Sequence, residues 1–109
     1  MANDFKMVTA ENIGTSVVTL YTAPASKTTI ILELDIANIT ASTILMDVEI
    51  TDNSASRTVY LVKDAAIPSR AALKAINGQK IVLEAQDAIK VTSDTSTSAD
   101  VVLSILEDV

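Results

Sequence analysis

Two segments of the chain carry apolar residues at every second position with acids between them, and this pattern most constrains the fold. In residues 30–36 the even positions are isoleucine or leucine, and two acids occupy odd positions between them. In residues 44–50 the even positions are again apolar, with two acids at the intervening odd positions. Because successive side chains of a strand point to opposite faces, both segments are predicted to be strands with one buried face.

Further strands are predicted where β-branched residues are dense, since these side chains pack well on a pleated surface. The segments are residues 5–8, 16–21, 58–63, 80–83, 88–93 and 101–106. Polar turn sequences separate them, among them Asn77-Gly78, where glycine permits a positive φ. Residues 69–76 are alanine-rich and fit either two helical turns or a strand, and a strand is favoured.

The strands recur about every ten residues with no long helical pattern between them, which is typical of all-β domains. We therefore predict a single antiparallel β-sandwich of about eight strands, jelly-roll-like or Greek-key in topology. A length of 109 residues fits one domain. Within it, residues 1–14 are predicted to form an N-terminal arm with a first short strand, and residues 15–109 the sandwich.

Cysteine and histidine are both absent from the chain. Their absence excludes disulfides, thiol nucleophiles, histidine-based triads and zinc sites built on thiolate or imidazole. Gly14 and Gly78 stand alone, so there is no glycine-rich loop to hold a phosphate. We predict no catalytic residue, no metal ligand and no cofactor, and we expect a protein that is not an enzyme.

The charge pattern excludes two classes of partner. The formal net charge is −6, and the eight lysines and arginines are scattered singly. Nucleic-acid binding needs clustered basic residues, and an anionic membrane surface repels a chain of this sign. The apolar runs fall short of the ~20 residues of a membrane-spanning helix. The first six residues lack the layout of a signal peptide, so synthesis in a cytoplasm is expected.

The two alternating segments also predict an acidic patch, formed by Glu33, Asp35, Asp47 and Glu49. If the chain turns at residues 40–42, these acids face one another in pairs, which destabilises a sheet by up to about 1 kcal/mol. Three explanations stay open. The strands lie in different sheets, a lysine such as Lys63 or Lys90 comes from a third strand, or a cation or basic partner neutralises the patch.

Apolar residues on the nominal outer faces of the strands indicate association, because a small sandwich has only one inner layer to bury them in. The residues are Ile31, Leu45, Val59, Leu61, Val102 and Leu106. Tyrosine combines apolar area with a polar tip and is favoured at interfaces. The predicted interface residues are Phe5, Tyr21, Leu45 and Tyr60.

Several segments, in order, resemble a family of small virion proteins of tailed bacteriophages, cyanophages among them. Residues 20–28, LYTAPASKT, resemble the family's LYTxPAGKT opening, and residues 60–68, YLVKDAAIP, resemble its YLxKDxxIP. Residues 38–42, 80–91 and 100–107 match further family segments. Ser26, Gln86 and the pair Ser69-Arg70 depart from the family, which has glycine in these turns.

The resemblance implies a non-enzymatic virion structural protein with a β-sandwich fold that forms a homo-oligomer, with a trimer favoured. The leading hypothesis is a capsid decoration (cement) subunit bound to the major capsid protein or other virion proteins. In this role residues 3–8 would add a strand to a neighbour's sheet. The alternatives are a neck, tail or fibre-associated subunit and, from a different class, a carbohydrate- or receptor-binding module.

Overall fold

A computed structural model of the chain describes residues 3–108 and contains strands but no helix. The strands are β1 (Asn3–Ile13), β2 (Val18–Thr22), β3 (Thr29–Asn38), β4 (Ile44–Asp52), β5 (Arg57–Ile67), β6 (Ala72–Leu83), β7 (Ala88–Ser93) and β8 (Ala99–Asp108). Residues 1, 2 and 109, which belong to the predicted arm and sandwich, lie outside the described residues. Within residues 3–108 there is no helix that could span a membrane.

The eight strands form two antiparallel sheets of four. The first sheet has the order β1-β8-β3-β6 and the second has the order β2-β7-β4-β5. The first strand therefore pairs with the last, β2 with β7, β3 with β6 and β4 with β5. A long hairpin that wraps around itself has these pairings, and it is the jelly-roll arrangement. The prediction of an eight-stranded antiparallel β-sandwich is confirmed.

The core lies between the two sheets and consists of aliphatic side chains and one methionine. Alternate residues of the central strands point inward, as the sequence pattern predicts. The largest fully buried side chains are those of Ile13, Ile31, Leu34, Ile36, Ile44, Met46, Ile67, Ile76, Leu83, Ile89, Leu103 and Ile105. Every strand except β2 contributes one of them, so the whole chain depends on this one core.

A β-bulge in β3 corrects the prediction that the even positions of residues 30–36 share one buried face. The register of β3 shifts between Ile31 and Glu33 against both of its neighbours. An extra residue at Leu32 reverses the alternation, because it places two successive residues opposite one. Ile31 is consequently fully buried and Ile30 faces outward, whereas Leu34 points into the core as predicted.

A second correction concerns Asn77-Gly78, which was predicted to be a turn. Strand β6 continues through this dipeptide, and its register against β3 shifts there. Gly78 has a φ of +83° with open space where a Cβ would lie, so it forms an irregularity within the strand. The ambiguous residues 69–76 begin with a turn and enter β6 at Ala72, in agreement with the favoured strand.

The N-terminal residues also differ from the predicted arm with a short first strand. Strand β1 has eleven residues and pairs with β8 without a shift from Asn3 to Ala10. The segment therefore forms an edge strand of the first sheet.

Left-handed backbone is found at two of the three turns where the phage proteins that the sequence resembles have glycine. Gln86 has a φ of 66° and Arg70 a φ of 59°. Ser26 is not among the residues with positive φ. A side chain at a left-handed position strains the backbone, so Gln86 and Arg70 carry a conformational cost that glycine would avoid.

Candidate interaction surface

The structure distributes the four predicted interface residues over different surfaces. Phe5 lies on the outer face of the first sheet, 76% exposed. Leu45 and Tyr60 lie on adjacent strands of the second sheet, 37% and 53% exposed. Tyr21 is half-buried in β2. The structure therefore does not bring these residues together, and whether each of them contacts a partner stays a prediction.

An apolar row crosses the entire outer face of the first sheet near one end. Phe5 of β1 lies opposite Leu106 of β8, Leu106 lies opposite Ile30 of β3, and Ile30 lies opposite Val82 of β6. Directly opposed residues of neighbouring strands share a face and touch. These four side chains, hereafter the apolar row, therefore form a continuous stripe with one member from each strand of the sheet.

The apolar row is accessible to a partner. Phe5 and Val82, at its two ends, are among the most exposed large apolar side chains, and Met7 beside Phe5 is 70% exposed. A shallow depression of about 290 Å³ borders the row at Ile30 and Leu106. Contiguous exposed apolar side chains are a feature of protein-contact surfaces, which makes the apolar row a candidate for one.

Two of the four residues of the apolar row, Ile30 and Val82, were not predicted to face outward. Ile30 was assigned to the core because the alternation places it with Leu34, and only the bulge at Leu32 turns it outward. Val82 lies in a predicted strand of four residues, too short to show which face is buried. Leu106 was recognised as facing outward, and Phe5 was named as an interface residue.

A polar cluster around Glu107 joins the two sheets near the same end. The phenol of Tyr21 donates a hydrogen bond to Oε2 of Glu107 at 2.5 Å and lies 2.9 Å from the hydroxyl of Thr29. Lys6 Nζ donates to Oε1 of Glu107 at 2.8 Å, and Lys27 Nζ lies 3.8 Å from the same oxygen. Glu107 is 4% exposed, so its charge is taken up by these partners.

The titration of the cluster follows from these contacts. The Lys6 ammonium, and after it the Tyr21 hydroxyl, lower the pKa of Glu107. The hydrogen bond to Glu107 raises the pKa of Lys6. Burial first, and the carboxylate second, raise the pKa of Tyr21 to about 12. At neutral pH these shifts keep Glu107 ionised, Lys6 protonated and Tyr21 uncharged, as expected for a structural contact.

The predicted acidic patch is not one patch. Glu33 and Asp35 lie on β3 in the first sheet, and Asp47 and Glu49 lie on β4 in the second. The first of the three explanations therefore holds, and the acids of the two strands do not face one another.

Lysines on neighbouring strands neutralise three of these acids. Lys74 Nζ lies 3.6 Å from Glu33 and 3.4 Å from Asp35. Lys63 Nζ donates to Asp47 at 3.3 Å, as the second explanation anticipated, and it lies 4.8 Å from the centre of the Tyr60 ring.

The fourth acid of the predicted patch, Glu49, lies on β4 in the second sheet. Glu49 is opposite Lys90 of β7. Within residues 3–108, no group of three or more acids is placed to hold a metal ion.

The chain was compared with known proteins. No protein-family model and no curated protein matches it. Among solved structures, it is similar to a chain in the structure of infectious bursal disease virus Gx strain, with a TM-score of 0.56 and 12% identity over 97% of this chain. It is also similar to VP2 of the infectious bursal disease virus subviral particle, with a TM-score of 0.53 and 11% identity over 95% of this chain.

A third similar structure comes from the Bacillus endospore appendages, described as disulfide-linked pili. It has a TM-score of 0.55 and 4% identity, and the match covers 97% of this chain and 85% of that one. By contrast, this chain spans about a third of the length of the two viral chains, 33% and 32%. At these identities the three likenesses show a shared fold.

Proposed function

We propose that this chain is a non-enzymatic structural subunit of a bacteriophage virion that acts by binding an assembled particle. The observation that carries the proposal is the apolar row, a continuous apolar stripe on the outer face of a small jelly-roll sandwich. The sequence resemblance to phage virion proteins supports it. The likeness of the fold to chains of a virus particle is consistent with it.

Within this class, the specific role we propose is capsid decoration. The apolar row would lie across neighbouring copies of the major capsid protein and bury apolar area against them. Because the subunit binds only the assembled shell, it would stabilise that shell by mass action. Its place would be the virion, after synthesis in the host cytoplasm, and the resemblance favours a trimer on the particle.

The use of the carboxylates supports a structural role over catalysis. Asp87 accepts backbone N–H groups of Asn53 and Glu84, both at 2.9 Å, and so holds two loops together. Asp94 accepts the N–H of Leu45 at 3.0 Å. These carboxylates have partners that fix the backbone, whereas a catalytic pair needs one acid with a raised pKa inside a cleft.

Immunogold electron microscopy tests the proposal. Antibody raised to the purified chain is applied to intact and to disrupted virions of the phage whose genome encodes it. Gold distributed evenly over the heads is the expected result. Gold at one vertex or along the tail would replace decoration by a neck or tail role. The absence of the chain from both intact and disrupted virions would overturn the virion assignment.

A neck, tail or fibre-associated subunit is the second candidate, and one observation favours it. The endospore pilus structure matches this sandwich over 85% of its own chain, so a fold of this kind is found in a filament. A ring or tube subunit should assemble alone into rings or filaments visible by negative-stain microscopy, whereas a decoration subunit should need the capsid. A sugar-binding module gains no support, since the exposed aromatics Phe5 and Tyr60 lie on different sheets.

A further inference from the structure

The four edge strands of the sandwich are protected to different degrees against pairing with another chain. Strand β2 has only five residues and a shifted register. Strand β5 has two register shifts and a left-handed residue, Asp64. Strand β6 is interrupted at Gly78 and carries Lys74 and Lys80. Short strands, bulges and edge lysines are the usual devices that block edge-to-edge pairing.

Strand β1 is the exception among these four edges. Its register against β8 is unbroken from Asn3 to Ala10, and its one shift comes after that point. Phe5 and Met7 project from it with most of their surface exposed. Its one lysine in this run, Lys6, donates to Glu107 of its own sheet and keeps 47% of its side chain exposed. A long, regular edge with exposed apolar side chains is a template for strand addition.

The charges on β1 favour one way of pairing two copies about a two-fold axis. An antiparallel pair centred on Phe5 places Asp4 opposite Lys6 of the second copy, and it does so twice by symmetry. Centring the pair on Lys6 sets two lysines opposite each other, and centring it on Asp4 sets two aspartates opposite each other. Opposed unlike charges stabilise a strand pair and like charges destabilise it. Centring on Met7 faces both charges with apolar residues.

The Phe5-centred pairing also continues the apolar row. Phe5 ends that row at the free edge of the first sheet. With Phe5 of each copy opposed, the two rows join end to end and cross a continuous sheet of eight strands. A cross-strand aromatic pair lies at the centre of this longer stripe. The other registers displace the two rows relative to each other.

We infer that β1 is a self-pairing edge, and that two copies of this chain associate antiparallel through residues 3–7 with Phe5 opposite Phe5. The occupant of the edge is a second copy of the chain. The paired segment is short, so the dimer is of the weak class whose interface lies below the standard size. The inference concerns the purified chain and stands apart from the location on a virion, so its failure would leave the proposed function intact.

Sedimentation velocity over a range of concentrations up to the millimolar region tests the association. A concentration-dependent dimer is expected for the wild-type chain. Asp4→Lys replaces two attractive pairs with repulsive ones and should raise the dissociation constant about tenfold. Glu11→Lys makes the same charge change on the same strand outside residues 3–7 and should leave the constant unchanged. A monomer at all concentrations, a trimer, or equal effects of both variants would overturn the inference.

Cysteine cross-linking tests the register, because the natural chain has no cysteine. Under oxidised glutathione, Phe5→Cys should form a disulfide-linked dimer about tenfold faster than Met7→Cys, since only residues opposed to themselves come close enough. The two positions are similarly exposed, at 76% and 70%, so random collision affects both alike. Faster linking at Met7 would show a Met7-centred register, and equal rates would show no specific pairing. Either result would overturn the proposed pairing.

Discussion

The phenol of Tyr21 in the second sheet donates a 2.5 Å hydrogen bond to the carboxylate of Glu107 in the first. This bond joins the two layers of the sandwich through side chains near the end that bears the apolar row. Lys6 and Lys27 provide the positive charge that makes burial of the carboxylate tolerable. The hydroxyl of a residue predicted to contact a partner is thus already bonded within the fold.

Tyr21 should ionise at unusually high pH. Burial and the nearby carboxylate raise its pKa to about 12 from an ordinary 10.0. The Tyr60→Phe variant leaves Tyr21 as the only tyrosine, so the ultraviolet absorbance of phenolate reports it alone. Since the folded state holds this proton more tightly, its contribution to stability is complete below pH 10.0 and is lost as pH rises toward 12. A midpoint near pH 10.0 with circular dichroism still native would contradict the buried contact.

Glu107 should make stability fall in acid. Its pKa is lowered from an ordinary 4.5 by Lys6 and then by Tyr21. Its contribution is therefore present above pH 4.5 and lost as pH falls through the lowered pKa. Glu107→Gln should have a lower Tm than wild type at pH 7 and a shallower decline in acid. Thermal melts from neutral to acid pH check this expectation, and parallel Tm curves for both proteins would contradict it.

Asp94→Asn is the comparison for that experiment. The pKa of Asp94 is also lowered, chiefly by the backbone N–H of Leu45. Asp94 therefore adds its own loss of stability in acid, in the same direction as Glu107. In the same thermal melts the double variant should show a shallower decline than either single variant, because two carboxyl groups with lowered pKa are gone.

The sequence pattern was sufficient for the all-β class and the antiparallel sandwich, because each strand buries one of its two sides. It left jelly-roll and Greek-key topologies open, and the strand pairing shows the jelly roll. Alternation such as that of residues 44–50 survives in the structure with Met46 and Val48 in the core. The predicted alternation failed in β3, where one extra residue reverses which positions face the core. A bulge at Leu32 depends on how three strands fit together, and nothing in the local sequence distinguishes it from regular strand.

Because of the bulge, the free energy of unfolding should depend on Ile31 more than on Ile30, the opposite of what regular alternation predicts. Ile31→Ala removes a fully buried side chain and should lower the free energy of unfolding by about 2–4 kcal/mol. Ile30→Ala, one residue earlier on the outer face, should cost about 1 kcal/mol or less. Chemical denaturation of both variants gives the comparison. A larger loss at Ile30 would restore the face assignment that the alternation predicts.

Glycine in place of Gln86, which has a left-handed backbone, should stabilise the fold. Replacing a residue at positive φ by glycine removes backbone strain, although glycine loses more entropy on folding. Gln86→Gly should therefore raise the free energy of unfolding by about 0.5–1 kcal/mol. Gln86→Ala is the matched control, since it loses the same weak contact with Asn53 but keeps the strain. Denaturant melts in which alanine stabilises as much as glycine would contradict the argument.

The candidate surface was harder to predict than the fold, for a physical reason. Exposed aromatic residues such as Phe5 and Tyr60 are conspicuous in a chain with only three aromatics. The apolar row instead depends on which residues of non-adjacent strands become opposed. Val82 of β6 and Leu106 of β8 are separated along the chain by strand β7, and they meet the same Ile30 only through the jelly-roll pairing.

The apolar row and the outer face of the second sheet are rival contacts with the particle, and one matched pair of variants separates them. Val82→Asp places a charge in the row, and Leu45→Asp places the same charge on the outer face of the other sheet. Both side chains are exposed in strands, so each change should alter the free energy of unfolding by about 1 kcal/mol or less. Co-sedimentation with virions that lack the chain should be abolished by the first and kept by the second. The reverse result would move the contact to the second sheet, where Leu45 and Tyr60 were predicted.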